Sequence, residues 1–187
     1  NLTKKVREHT VDGLLRIREN MKKVHKVPPR SARDTLLLAT WNIRDFGKGK
    51  YGPRLPEALY YMAEIISHFD LVAVQEVFED MDEFEQLLYY LGPNWTYIAT
   101  DVAEGAGGNG ERMVFLYDRR KVLFRNIAGE IVLPRGKKIF DEMQFARTPF
   151  SVAFQSEWFS FNLCTVHIYY GEDSGEKFER RVKEIDA

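Results

Sequence analysis

Leu36-Leu37-Leu38-Ala39-Thr40-Trp41-Asn42 and Leu71-Val72-Ala73-Val74-Gln75-Glu76 decide the fold. Each opens as a short, continuous apolar run, the pattern of a buried strand, and each turns polar where the run stops. Between them Pro56 suits a first helical turn, and Leu59, Met62, Ala63 and Ile66 form one apolar face. Strand, helix, strand predicts a right-handed crossover and a parallel pair. Further on, Asp80 with Glu83 resembles a capping box ahead of Phe84, Leu87, Leu88 and Leu91, and Gly92-Pro93 stops that helix. The segments 95–100, 112–117, 122–128, 150–154 and 159–166 read as strands, too closely spaced for helices between them and therefore antiparallel. A charged stretch over 175–187 reads as a last helix. The order predicts a mixed α/β (α+β) fold rather than a simple doubly wound one.

Composition fits that reading. Of 187 residues, 44% are apolar and 29% charged, enough for one soluble domain with a sizeable core. No apolar run approaches the ~18 residues of a membrane span. The net charge of −1 hides an asymmetry. Residues 1–33 hold ten Lys/Arg against three Asp/Glu, a net of +7, while the rest of the chain nets −8. Val11, Leu14, Leu15, Met21 and Val24 give this basic arm a helical stripe, and Pro28-Pro29 ends it in a stiff linker. The expected division is therefore a basic helical arm over 1–33 and a main domain over 34–187. A solvated helix face is the simplest reading of the arm, and contact with a polyanion is the alternative. The single Cys164, in the apolar stretch FNLCTV, is expected to be a buried thiol. That lone cysteine and the lack of a leader pattern point to the cytoplasm, and a start at Asn1 rather than Met implies sequence upstream.

One motif misleads. Gly105-Ala106-Gly107-Gly108-Asn109-Gly110 spells the dinucleotide fingerprint, which must follow a strand and open a helix. Here it leads into strand-like Glu111-Arg112-Met113-Val114-Phe115-Leu116-Tyr117, so a surface loop is expected instead.

The chemistry gathers where apolar runs end: Trp41 then Asn42, Val74 then Gln75-Glu76, Val166 then His167. Open α/β sheets place ligands at strand carboxyl ends, and adjacent strands lie ~4.8 Å apart, so an amide, a carboxylate and an imidazole can share one crevice. Glu111 adds a second carboxylate, and Arg147, before Thr148-Pro149, adds a guanidinium. This set suits a hard divalent cation and a phosphate better than thiol or acyl chemistry. Neither a Gly-x-Ser-x-Gly elbow nor a His-Glu-x-x-His motif occurs. Singly, each residue also has an ordinary structural reading. Asn42 can cap a turn, Glu76 can border a strand, His167 can be a satisfied strand-end histidine, and Glu111 and Arg147 can form a salt bridge.

In order and spacing, Trp41-Asn42-Ile43-Arg44-Asp45-Phe46-Gly47, Val74-Gln75-Glu76-Val77, Glu111 to Tyr117, Ala146-Arg147-Thr148-Pro149 and Thr165-Val166-His167 resemble the endonuclease/exonuclease/phosphatase superfamily, nearest its deoxyribonuclease I-like branch. The resemblance covers about 34–186. It implies a four-layer fold, a two-sheet β-sandwich flanked by helices, of which this chain spans the first half to two-thirds. It also implies Glu76 and Asn42 as metal ligands, for Mg2+ or Mn2+ with Ca2+ also accepted. Asn42, His167 and its orienting carboxylate Glu111 become the catalytic group, and Arg147, Arg44 and Asn109 the substrate contacts. Arg44 stands where deoxyribonuclease I-like members place an arginine, but Phe78 and Asn109 replace an arginine and a tyrosine that meet duplex DNA there. Gly-Asp-x-Asn and a terminal Asp-His pair, which the superfamily carries downstream, have no match after His167.

The implied activity is divalent-metal-dependent hydrolysis of phosphodiester bonds by a nuclease acting on DNA or another nucleic acid. A phosphoesterase acting on phospholipid or nucleotide headgroups is one alternative, and a scaffold module that kept the fold but lost half its site is another. A further segment or second chain is expected to complete the sandwich, since half of it would expose apolar strand faces and would not fold stably alone.

Overall fold

A computed structural model describes residues 3–31, 33–47, 52–102, 110–134, 139, 144–170 and 172–187. Strands β1 (Leu38–Phe46) and β2 (Leu71–Val77) are parallel, with Leu38 opposite Leu71 and Asn42 opposite Gln75, and helix α2 (Pro56–Ser67) makes the crossover. β4 (Arg112–Asp118) runs antiparallel to β2, and β3 (Trp95–Ala99) lies outside β4, giving the order β1-β2-β4-β3. β5 (Leu123–Glu130), β6 (Phe150–Ser156) and β7 (Phe159–Thr165) form a second, antiparallel sheet in chain order.

β2 is apolar from Leu71 to Val74 because both of its faces are covered there. Val72 and Val74 face Leu59, Met62 and Ile66 of α2 and Phe84 and Leu87 of α3 (Asp82–Leu91). Leu71 and Ala73, one step out of phase, face the second sheet, where Phe115, Phe150 and Phe154 pack ring against ring. Helices, sheet and sheet thus stand in layers. The two sheets pack their inner faces on each other, while Leu38, Leu123, Trp158, Phe159 and Val166 remain exposed. The outward positions of β7 are Ser160, Asn162 and Cys164, polar or small and exposed.

The structure corrects several local expectations. The run 36–41 is not a fully buried strand: β1 is an edge strand with one neighbour, Leu38 is 43% exposed, and the strand runs on to Phe46. Cys164 is exposed rather than buried, since strand alternation sends Leu163 and Thr165 inward and Cys164 outward. No capping box forms, because α3 starts at Asp82: Asp80 Oδ1 accepts from Asp82 N at 3.0 Å, and Glu83 accepts from Arg54 N. The first helix, α1 (Lys4–Lys23), begins earlier than its apolar stripe, capped by Thr3 Oγ1 accepting from Val6 N. It packs on α2, with Gly13 against the Tyr61 ring and Arg18 gripping Glu64 through two hydrogen bonds of 2.7 and 2.9 Å. No helix among the described residues is long and apolar enough to cross a membrane.

Candidate active site

Two breaks in the ladders shape the site. The register between β1 and β2 slips after Asn42, and that between β2 and β4 slips after Val74. At the slips Arg44, Asp45 and Glu76 take positive φ values of 57°, 48° and 63°, a region that costs side-chain-bearing residues energy and recurs at functional sites. The bulged backbone turns Glu76 toward β1. Asn42 Nδ2 donates to Glu76 Oε1 at 2.7 Å, Asp45 N donates to Oε2 at 3.0 Å, and Asn42 Oδ1 accepts from Arg44 N at 3.0 Å. Gly47 (φ +81°) follows, where a Cβ would lie 2.1 Å from the Asp80 carbonyl oxygen, so only glycine fits this close approach.

The second sheet brings His167. Gln75, buried beneath the site, donates through Nε2 to Thr165 Oγ1 at 2.8 Å and to Thr40 Oγ1 at 3.1 Å, clasping β7 to β1 and β2. Two residues past Thr165, His167 sets Nε2 3.5 Å from Glu76 Oε1 and Nδ1 3.0 Å from Glu111 Oε2. Nδ1 and Oε2 are within ion-pair distance but not aligned as a hydrogen bond. Glu111 is also gripped by Arg147, whose Nε donates to Oε2 and Nη2 to Oε1 at 3.1 Å. Burial pushes the Glu111 carboxyl up, but His167 and Arg147 outweigh it and hold the group below its usual range.

Asn42, Glu76, His167, Glu111 and Arg147 therefore form one continuous chain of contacts. Arg147, expected to offer a fixed guanidinium, is almost fully buried in a salt bridge with Glu111, the ordinary structural reading of that pair. Together with Arg112, Thr148 and His167 this pair lines a cavity of about 300 Å3. Arg44 is exposed and lines a separate opening of about 250 Å3 with Asp45 and Arg54. Asn109 and the loop 105–109 lie outside the described residues.

Sequence reasoning missed the clasp and one more residue. Gln75 gave a signal, a polar side chain within an apolar strand. Glu184 gave none: it sits on the charged helix α4 (Gly175–Asp186), yet it is buried and accepts from Ala146 N and Tyr169 N.

No protein-family model and no curated protein matches the chain. Solved structures do. An endonuclease/exonuclease/phosphatase family protein from Bacteroides thetaiotaomicron is similar at a TM-score of 0.52 and 19% identity, over 69% of this chain and 47% of its own. A family protein of the same description from Leptotrichia buccalis is similar at 0.51 and 14% identity, over 81% and 60%. A functionally unknown conserved protein from Enterococcus faecalis V583 is similar at 0.54 and 18% identity, over 81% and 60%. The chain thus spans about half to three-fifths of the length of these structures.

Proposed function

We propose that this chain, built on the endonuclease/exonuclease/phosphatase fold, carries the metal- and phosphate-handling half of a divalent-metal-dependent phosphodiesterase, a nuclease acting on DNA or another nucleic acid. The observation that carries this reading is the unbroken contact chain from Asn42 through Glu76, His167 and Glu111 to Arg147.

The metal end fits a hard cation. Glu76 would supply its carboxylate and Asn42 its amide oxygen, oxygens that now accept from Asn42 Nδ2, Asp45 N and Arg44 N. Mg2+ or Mn2+ is commonly held by one or two carboxylates while keeping several waters. Ca2+ accepts the same donors. A bound ion would neutralise the nonbridging phosphate oxygens and make phosphorus easier to attack. Glu111 holds the Nδ1 side of His167, which leaves Nε2 facing Glu76 and the crevice, free to exchange a proton with a phosphate or leaving-group oxygen. Arg147 offsets the charge of Glu111 and brings a fixed cation to the cavity wall, where it meets substrate phosphate. Arg44 and Asn109 are the further substrate contacts in this reading.

A substrate panel tests the proposal on the intact protein that carries these residues. DNA, RNA, phospholipid and nucleotide substrates are compared with Mg2+, with Mn2+ and with chelator. Metal-dependent cleavage of a nucleic acid is expected. Preference for a headgroup would make the protein a phospholipid or nucleotide phosphoesterase. No hydrolysis of any substrate would make it a binding or scaffold module, and cleavage that persists in chelator would end the metal reading.

A further inference from the structure

Behind the candidate site, one buried carboxylate joins two of its segments. Glu184 is 3% exposed; its Oε1 accepts from Ala146 N at 3.0 Å and its Oε2 from Tyr169 N at 2.8 Å. Ala146 directly precedes Arg147, and Tyr169 lies two residues beyond His167. Both segments, 144–149 and 166–170, lie outside any strand or helix, so their backbone donors lack ladder partners and need side-chain ones. Burying a carboxylate is costly unless its oxygens are hydrogen-bonded, and here both are used on the backbones next to proposed site residues.

The same helix grips the second segment again. The Arg180 guanidinium lies 4.3 Å from the Tyr169 ring centroid with its Nε 3.5 Å from Glu184 Oε1, and Arg181 Nη1 donates to the Tyr170 carbonyl at 2.8 Å. The metal end is built differently. Glu76 and Asn42 are placed by the bulges of β1 and β2, with no contribution from α4 among these contacts.

We infer that Glu184 is a positioning residue, holding Arg147 and His167 in register on Glu111, so that α4 must dock before the phosphate end of the site is assembled. This rests on the phosphodiesterase reading above. It separates turnover from metal retention, because a displacement of about 1 Å at reacting groups costs on the order of a hundredfold in rate and leaves the ligands of the other end in place.

The test uses the intact protein, bis(p-nitrophenyl) phosphate as substrate and Mn2+ as metal. Glu184→Ala lowers kcat/KM by roughly a hundredfold, while Glu184→Gln, which keeps one acceptor oxygen, loses about tenfold. Mn2+ affinity stays within about twofold in both variants. Hydrogen exchange read without metal or substrate shows the Ala146 and Tyr169 amides losing protection in Glu184→Ala, with the β2 and β4 amides unchanged. Unchanged protection at Ala146 and Tyr169 would overturn the assignment. So would Mn2+ affinity falling in step with kcat/KM in the Gln variant, since that marks general unfolding. If the parent protein cleaves no phosphodiester, the functional reading fails by itself, and the exchange result still decides whether Glu184 holds the two segments.

Discussion

The four-stranded sheet has a cluster of charges at each end, and the two are built on opposite plans. At the end where β1 and β2 begin, Arg30 donates to Asp70 and to Asp118, both at 2.7 Å, while Arg120 adds a second grip on Asp118. Remaining oxygens are taken by backbone: Asp70 Oδ2 accepts from Leu37 N, and Asp118 Oδ1 from Arg120 N. Both carboxylates are buried and no residue of the cluster has a positive φ. At the opposite end, ~20 Å away along the strands, the chain from Asn42 to Arg147 lines a cavity with Glu111, Arg147 and His167, includes a strained Glu76 and leaves His167 Nδ1 misaligned. Saturated, relaxed charge marks a structural latch that pins the linker after α1. Incompletely satisfied, strained charge marks a place kept ready for something else.

The contrast is open to attack by substitution. Replacing Glu76 by Ala is expected to reduce phosphodiester hydrolysis about a thousandfold, and His167→Ala about a hundredfold or more, with little change in melting temperature. Steady-state kinetics with a melting curve on each variant checks this, and full activity in either one removes that residue from the mechanism. Arg30→Ala should do the reverse. It leaves two buried carboxylates short of a cation, a loss of about 3 kcal/mol visible in urea unfolding, while the folded fraction keeps its activity.

Acid sharpens the comparison. Burial works against the charge of Asp118, but the hydrogen bonds from Arg120 and Arg30 prevail and hold its carboxyl down to about 2, from an ordinary 3.8. A depressed carboxyl contributes stability that is present above its unfolded value and lost as pH falls through the folded one. Melting temperature should therefore drop between about pH 4 and pH 2, and Asp118→Asn should flatten that part of the profile. The smallest effect belongs to Cys164→Ser, expected within about 0.5 kcal/mol of the parent because the thiol points outward.

The parallel pair and the site rim were legible because both rest on short-range pattern. Apolar runs covered on two faces announce themselves, and the polar residues that stop them fall where the strands emerge. Where a contact joins residues far apart in the chain, local pattern carries no trace of it. Arg30 meets Asp118 across 88 positions, Gln75 meets Thr165 across 90, and Glu184 looks like one more charge on a charged helix. Cys164 was readable after all, since Phe161 and Leu163 set an alternation that sends the next residue out. The capping box failed for a geometric reason: its spacing was right, but the helix starts one residue later than the motif requires.

The left-handed backbone at Arg44 and Asp45 carries a lesson for engineering. Glycine adopts that conformation freely, and the Asp45 amide that supports Glu76 would survive the exchange. A laboratory population selected only for heat resistance would drift toward glycine there, giving up whatever the lost side chains do for substrate. Durability and turnover would pull this short stretch in opposite directions.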